Sequence, residues 1–266
     1  MLRGMLFNVA ALVALAPAAL LHLRSRGGRD LVFWAVLGVA TAGALSWAVT
    51  LFAGGWHTGL SAALWVSIST SLVVFVVLAA ASAQAWRLTP LLLPYLLLLA
   101  VVATVWAQAP ERPLPEAVPP AWLIVHIVAS VLTYALLTIA AVSALAVVLQ
   151  ERALKRKKPG DLTRLLPSVA DCVELQLRLL VAGELVLGAG LLTGVATQYV
   201  IDGRLFAFGH KTLFAALAFV VIGLLLIAHQ RTGVRGRRAA RFVLLAYLLL
   251  TLAYPGVKFV TDVLLA

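Results

Sequence analysis

The sequence predicts an all-α fold, a polytopic membrane bundle of about eight transmembrane helices with both termini outside. Hydrophobic residues make up 63% of the 266 residues and charged residues only 12%, against about 45–50% (glycine included) and about 25% in soluble domains. The apolar runs are about 20 residues long, as helices that cross a bilayer require, and lack the alternation of barrel strands. We therefore exclude a soluble or disordered chain and expect residues 1–266 to form one integral membrane domain.

Clusters of charge, glycine and proline divide the chain into eight apolar segments. Their predicted limits are 5–23, 31–53, 60–85, 89–107, 121–150, 177–199, 210–230 and 242–265. The proline-rich segment 108–120 separates two halves of four helices. Pro167 and Ser168, followed by Asp171, have the pattern of a capped helix start, so we expect 168–178 to extend the sixth span along the interface.

The distribution of basic residues predicts the orientation of the spans. Of the 21 Lys and Arg residues, 15 fall in the loops after the first, third, fifth and seventh spans, and 5 fall on the opposite side. Because basic loops stay in the cytoplasm, we expect a multi-pass protein of the bacterial inner (plasma) membrane whose basic loops are cytoplasmic. The same rule accounts for the net charge of +11, so the expected partners are the lipid bilayer and other membrane proteins, with no nucleic acid.

Five histidines are the main candidates for chemistry at membrane depth, since the sequence carries no Ser-His-Asp pattern, phosphate-binding loop or HExxH motif. His57, His126 and His210 map to the outer side, and His22 and His229 map to the inner ends of their spans. Two layers of neutral imidazole can supply axial ligands to haem iron. The same layout suits a metal transporter or a proton relay, and the spacing alone does not distinguish these two functions from haem binding.

The sixth and seventh spans carry the remaining candidate residues. One interpretation of Glu184 is functional: a proton or cation site, or a hydrogen-bond acceptor for an inner histidine. The other interpretation, which we favour, is structural: an ion pair with Arg178 or with a basic loop. Lys211 is either an interfacial lysine or a partner for a haem propionate. Gly190 and Gly194 form a small-xxx-small face that lets another helix approach.

Four segments of the second half resemble one known family. They are VHIVASVLTYALLTIAA (125–141), with the pattern H-x3-S-x2-[ST]-Y, GAGLLTGVATQ (188–198), HKTLFAALAFVVIGLLLIAHQRTGVRGRRAARF (210–242) and LAYPGVKF (252–259). In these segments the chain resembles the cytochrome c assembly family, the CcsA-, ResC- and HemX-like membrane proteins. The resemblance covers about 121–260 and implies a membrane bundle that handles haem.

The resemblance also implies roles for particular residues. His126 matches the family's outer histidine, His229 matches its intramembrane histidine, and both would bind metal only as ligands of haem iron. Lys211 falls where the family's synthases have a lysine. Those synthases carry a Trp-rich loop, whereas 201–209 contains no tryptophan. The chain is therefore most similar to the HemX-like or YpjD-like branch, and we do not expect it to act alone as a haem lyase.

The leading hypothesis is a haem-binding or haem-handling protein of cytochrome c-type biogenesis or haem homeostasis. In it, His229 and His22 are ligands near the inner face, His126 is an outer ligand with His210 or His57 as its partner, and haem is the cofactor. The first alternative is a transporter, or an accessory subunit of an ion transporter, with Glu184 and the histidines as a polar path. The second is a haem-free scaffold that binds a membrane partner through its basic loops.

Overall fold

The computed structural model describes residues 2–23, 28–53, 59–108, 120–202 and 209–260, and all regular structure in these ranges is helical. The helices are α1 (Leu2–Ala19), α2 (Leu31–Ala53), α3 (Leu60–Ala81), α4 (Thr89–Val105), α5 (Pro120–Arg156), α6 (Asp161–Leu165), α7 (Val169–Asp202), α8 (His210–Thr232), α9 (Gly236–Thr251) and α10 (Val257–Phe259). Short 3-10 turns cover Leu21–Leu23 and Ala85–Leu88, and a π-helical turn covers Leu252–Gly256. The predicted all-α class is confirmed.

Seven of the predicted spans are long and apolar enough to cross a membrane within the described ranges. The first predicted span, 5–23, is shorter in the structure: its apolar helical part is Met5–Ala19, about 22 Å at 1.5 Å per residue. Pro17 lies in its last turn, and a 3-10 turn follows at Leu21–Leu23. The helix of the first span therefore ends at Ala19, four residues before the predicted limit.

A polar clamp holds α1 against the other helices of the first half, where α1 packs on α2 and α4. Asn8 is 1% exposed, and its Oδ1 accepts hydrogen bonds from Trp65 Nε1 of α3 at 3.0 Å and from Thr104 Oγ1 of α4 at 2.8 Å. One amide thus joins three helices. These two hydrogen bonds fix the position of α1 in the bundle.

We expect Asn8→Ala to loosen α1, since Trp65 Nε1 would lose its acceptor inside the bundle, whereas Thr104 keeps the carbonyl of Ala100. Leaving a buried donor unpaired costs about 1–3 kcal/mol. Thermal unfolding of the detergent-solubilised protein measures the loss, with Ser46→Ala as the control because Ser46 is exposed and bonds only within its own helix. Equal melting temperatures for the two variants would contradict the clamp.

The longest helix, α5, lies at the centre of the bundle, where it packs on α7, α9 and α3. A cluster of hydroxyl groups joins it to its neighbours. Tyr247 Oη of α9 lies 2.5 Å from Tyr95 Oη of α4, and it donates to Tyr134 Oη of α5 at 3.2 Å. Thr138 Oγ1 lies 3.1 Å from the same Tyr247 oxygen. This tyrosine cluster connects the two predicted halves in the apolar core.

The basic end of the bundle is organised by local contacts that the sequence partly predicts. The amide of Asp171 donates to Ser168 Oγ at 3.2 Å, and Ser168 donates to the Asp171 carboxylate at 2.6 Å. The predicted helix start is thereby confirmed, and α7 runs without a break from Val169, as expected for an extended sixth span. Arg178 pairs with Glu174 four residues earlier.

Candidate functional site

The candidate site is a pocket of about 350 Å³ between α5, α7, α8 and the π-helical turn. It lies at the end of the bundle where α5 begins, α7 ends and α8 begins, opposite the basic loops. A volume of this size is within the range of small-molecule and cofactor sites. Its wall is largely apolar, with polar groups supplied by His126, Ser130, Thr133, Tyr134, Gln198, Lys211, Thr212 and Tyr254.

The imidazole of His126 is oriented by a contact with α7. Its Nδ1 lies 3.0 Å from Thr193 Oγ1, and Thr193 Oγ1 also lies 3.0 Å from the carbonyl of Gly190. When the threonine donates to Gly190, its oxygen accepts from His126, and this arrangement places the proton on Nδ1. Nε2 keeps its lone pair, the arrangement that a metal-ligating histidine needs.

Two glycines of α7 set how closely α5 approaches. A Cβ on Gly190 would lie 3.8 Å from the Ala129 Cβ, an ordinary contact. A Cβ on Gly194 would lie 3.1 Å from His126 Cε1, tighter than real contacts usually are. The predicted close approach along this small-residue face is confirmed. In addition, the absence of a side chain at Gly194 makes room for the His126 ring.

Thr133 and the π-helical turn complete the lining of the pocket. Thr133 is 1% exposed, and its Oγ1 has no hydrogen-bond partner among the residues that the structure describes. Pro255 lies in the π-helical turn and has no amide to continue the α-helical bonding. This turn places Ala253 and Tyr254 in the lining, in keeping with the frequent occurrence of π turns at functional sites.

Lys211 is exposed and lines the pocket, so the structure brings it to the same site as His126. His210, its neighbour, is exposed at the first position of α8 and is not part of the pocket lining. His57 lies outside the described residues. Of the described outer candidates, His126 and Lys211 therefore line the pocket, and His210 lies beside Lys211 outside the lining.

His229 lies in the last turn of α8, and a C-terminal cap orients it. Gly233, with φ of +66°, adopts the left-handed conformation and donates its amide to the His229 carbonyl at 3.2 Å. The chain then turns back, so that His229 Nδ1 donates to the carbonyl of Val234 at 3.0 Å. As at His126, the hydrogen bond leaves the Nε2 lone pair for a metal. The cleft beside it, bordered by Gln176 and Arg235, has a volume of only about 10 Å³.

The two histidines that match the family belong to separate sites. Lys211 of the pocket and His229 are 18 positions apart on α8, about 27 Å at 1.5 Å per residue. No single iron can bind both His126 and His229. His22 lies in the 3-10 turn after α1, and its side chain lies outside the described set. Within the described ranges, no three His, Cys, Asp or Glu side chains come together as a metal site.

Glu184 lies in α7 and faces α8. Its Oε1 would lie 3.0 Å from a Cβ built on Gly223, and its Oε2 is buried without a hydrogen-bond partner in the described part of the chain. The ion pair of Glu184 with Arg178, one of the structural interpretations, is wrong. Six helical positions separate these residues by about 600°, so they point in different directions, and Arg178 pairs with Glu174.

The pattern H-x3-S-x2-[ST]-Y, noted above for the family resemblance, supplies four residues of the pocket, although only its histidine was predicted as a site residue. His126, Ser130, Thr133 and Tyr134 occupy positions i, i+4, i+7 and i+8, which share one helix face. All four line the pocket. A polar stripe along an otherwise apolar span is therefore the signal that would have extended the site beyond the histidine.

The fold and the pocket define a multi-pass membrane protein with a ligand-sized cavity between helices near one end of the bundle. A sequence model described as cytochrome C assembly protein matches residues 31–265. The chain belongs to this family and is a membrane protein of cytochrome c biogenesis. The match begins in the first half, well before the 121–260 that motifs alone suggested.

A curated relative matches along the whole chain. The chain is 53% identical over 270 residues to a protein of Azospirillum brasilense described as an uncharacterized 28.8 kDa protein in the nifR3-like 5' region, and the alignment covers 100% of both chains. No solved structure matches the chain significantly.

Proposed function

We propose that this protein binds haem in the pocket beside His126 and hands it on during cytochrome c-type biogenesis or haem homeostasis. One observation carries the proposal: His126 Nδ1 is engaged by Thr193 at 3.0 Å, which leaves Nε2 as a ligand atom at the 350 Å³ pocket. Neutral imidazole is a standard axial ligand of haem iron. The family membership supports a role in the same pathway.

The residues of the pocket suit such a ligand. Leu187, Leu191 and Leu250 supply apolar surface, and Lys211 supplies a cation in the lining that can pair with a carboxylate. The unpaired hydroxyl of Thr133 offers a hydrogen bond to a polar substituent. When bound, haem would supply an iron centre that an imidazole can ligate. His210 and His57 remain the proposed partners of His126 at this face.

We assign a secondary haem contact to His229, with His22 as its proposed partner. The hydrogen bond to Val234 gives His229 the tautomer of a ligand. Its cleft of about 10 Å³ is too small for a tetrapyrrole, so the structure has no room for haem beside His229. The outer pocket beside His126 is therefore the primary haem site that we propose.

The orientation of the protein in the membrane is part of the same proposal. The basic loops lie in the cytoplasm and the His126 pocket opens toward the outer face of the plasma membrane, as the distribution of Lys and Arg favours. The tryptophan-free segment 201–209 favours the HemX-like branch. Since a haem lyase of this family would use its Trp-rich loop, we expect the chain to act with other maturation proteins.

A haem titration of the purified protein in detergent tests the proposal. We expect a Soret band that saturates at one haem per chain for the outer pocket, with the spectrum of an imidazole-bound iron. Linear, unsaturable absorbance that matches haem in empty detergent micelles would overturn it.

Gly194→Ala is expected to weaken haem binding severalfold, because the new Cβ would lie 3.1 Å from His126 Cε1 and displace the ring by a few tenths of an ångström. Gly190→Ala is the matched control, since its Cβ meets Ala129 at an ordinary 3.8 Å. The affinities come from the same haem titration. An equal loss in both variants would indicate a general effect on helix packing.

A second candidate function rests on Glu184, whose buried Oε2 has no partner in the described residues. An ionisable side chain at membrane depth is costly and marks an ion or proton path by default. Under this alternative, the protein is an ion transporter or its accessory subunit. Glu184→Gln would then abolish ion or proton flux in proteoliposomes and leave haem binding intact, whereas absence of flux in the wild-type protein would reject it.

A further inference from the structure

A second cavity lies at the opposite end of the bundle from the His126 pocket. Its volume is about 480 Å³, and it is formed where α2 begins, α3 ends and α4 begins. Phe33, Gln84, Trp86, Arg87 and Arg164 are among the residues that line it. Among the side chains that the structure describes, no candidate haem ligand lines this inner cavity, so we consider a different ligand for it.

The charge of the inner cavity favours an anion. Arg87 Nε donates to the carbonyl of Leu165 at 3.0 Å, and its Nη2 donates to the carbonyl of Arg164 at 2.9 Å. These bonds fix the guanidinium group and use two of its five N–H donors. Arg164 adds a second positive charge, and no acidic residue occurs among the lining residues that the structure describes.

The position of the inner cavity indicates which kind of anion would bind there. Three spans end here, so the cavity lies level with the boundary between hydrocarbon and headgroups. Phe33 packs edge to face against Trp86, with ring centroids 6.1 Å apart, and such aromatic rings characterise this boundary. Leu21 adds apolar lining. An amphipathic anion, with its charge at the arginines and its apolar part against the aromatic wall, fits these surroundings.

We propose that the inner cavity binds the headgroup of an anionic phospholipid, with Arg87 and Arg164 at the phosphate and Phe33 and Trp86 against the glycerol and upper acyl chains. Arg87 would then have two tasks. It ties the start of α4 to the α6 segment, and it presents its remaining donors to the lipid. Basic cavities between transmembrane helices at the cytoplasmic side are suited to anionic headgroups.

Native mass spectrometry of the full chain tests the proposal, after release from micelles that contain phosphatidylglycerol or phosphatidylcholine. We expect the wild-type protein to retain phosphatidylglycerol in preference to phosphatidylcholine. Arg164→Gln should weaken retention roughly fivefold, the change expected for one basic residue near a headgroup. Arg231→Gln is the matched control, because it removes the same charge from an exposed position at the same end of the bundle.

Arg87→Gln should weaken retention at least as much as Arg164→Gln. If that variant does not fold, because Arg87 also ties α4 to α6, then Arg164→Gln decides alone. Equal retention of phosphatidylglycerol by the Arg164→Gln and Arg231→Gln variants would overturn the proposal. Displacement of the lipid by millimolar inorganic phosphate would also overturn it, since the site would then recognise a free anion.

Discussion

Replacing His126 by alanine should abolish saturable haem binding at the outer pocket. The variant removes the Nε2 lone pair that the Thr193 hydrogen bond leaves at the cavity, and no other imidazole belongs to the pocket lining in the described residues. We expect the wild-type Soret band to be replaced by the spectrum of haem in detergent. An optical titration measures the change.

His210→Ala is the comparison variant. His210 is a proposed partner of His126, but it is exposed beside Lys211 and does not line the pocket, so its loss should weaken haem binding less than the loss of His126. Thr193→Val keeps the ligand and removes the group that orients it, for which a loss of about 10–100-fold in affinity is typical. An unchanged Soret titration in His126→Ala would remove the outer pocket from the haem proposal.

The helical architecture was predictable because it depends on composition and local pattern. Apolar runs of membrane length predict spans, and Ser168 with Asp171 predicts a capped helix start, since both bonds join residues three apart. The length of the first span was harder to predict. Its apolar run continues past Ala19, but Pro17 in the last turn and the 3-10 turn at Leu21–Leu23 shorten the helix.

The partners of the functional residues depend on how distant helices rotate against each other. Thr193 is 67 residues from His126, and only the packed orientation of α5 against α7 shows that its hydroxyl contacts the imidazole. The same holds for Glu184, whose neighbour is Gly223 of α8. A single sequence identifies which side chains are unusual at membrane depth, but it does not specify which face each helix turns to its neighbour.

The tyrosine cluster at the centre of the bundle was not predicted, because no sequence pattern links its three helices. Tyr95, Tyr134 and Tyr247 are separated by many residues, yet their hydroxyls lie within hydrogen-bonding distance in one chain. Polar groups in an apolar surrounding must be paired. Once α4, α5 and α9 pack together, these hydroxyls have one another as partners, so the cluster specifies how the first half docks on the second.

Tyr247→Phe should destabilise the protein by about 1–3 kcal/mol, since leaving buried polar groups unpaired costs that much. Tyr247 Oη is the central oxygen of the cluster: it lies 2.5 Å from Tyr95 Oη, 3.1 Å from Thr138 Oγ1 and 3.2 Å from Tyr134 Oη. Tyr95→Phe removes an outer member only and should cost less, near the average of about 0.6 kcal/mol measured for hydrogen bonds between membrane helices.

The free energy of unfolding in mixed micelles distinguishes the variants, with Tyr199→Phe as the control because Tyr199 is exposed on α7. The tyrosine cluster also borders the candidate site, since Tyr134 belongs to both. Tyr247→Phe should therefore weaken haem binding as well as stability. Asn8→Ala should affect stability alone, because the hydrogen bonds of Asn8 in the described residues join helices of the first half. Stability equal to that of Tyr199→Phe would show that apolar packing, and not the cluster, joins the two halves.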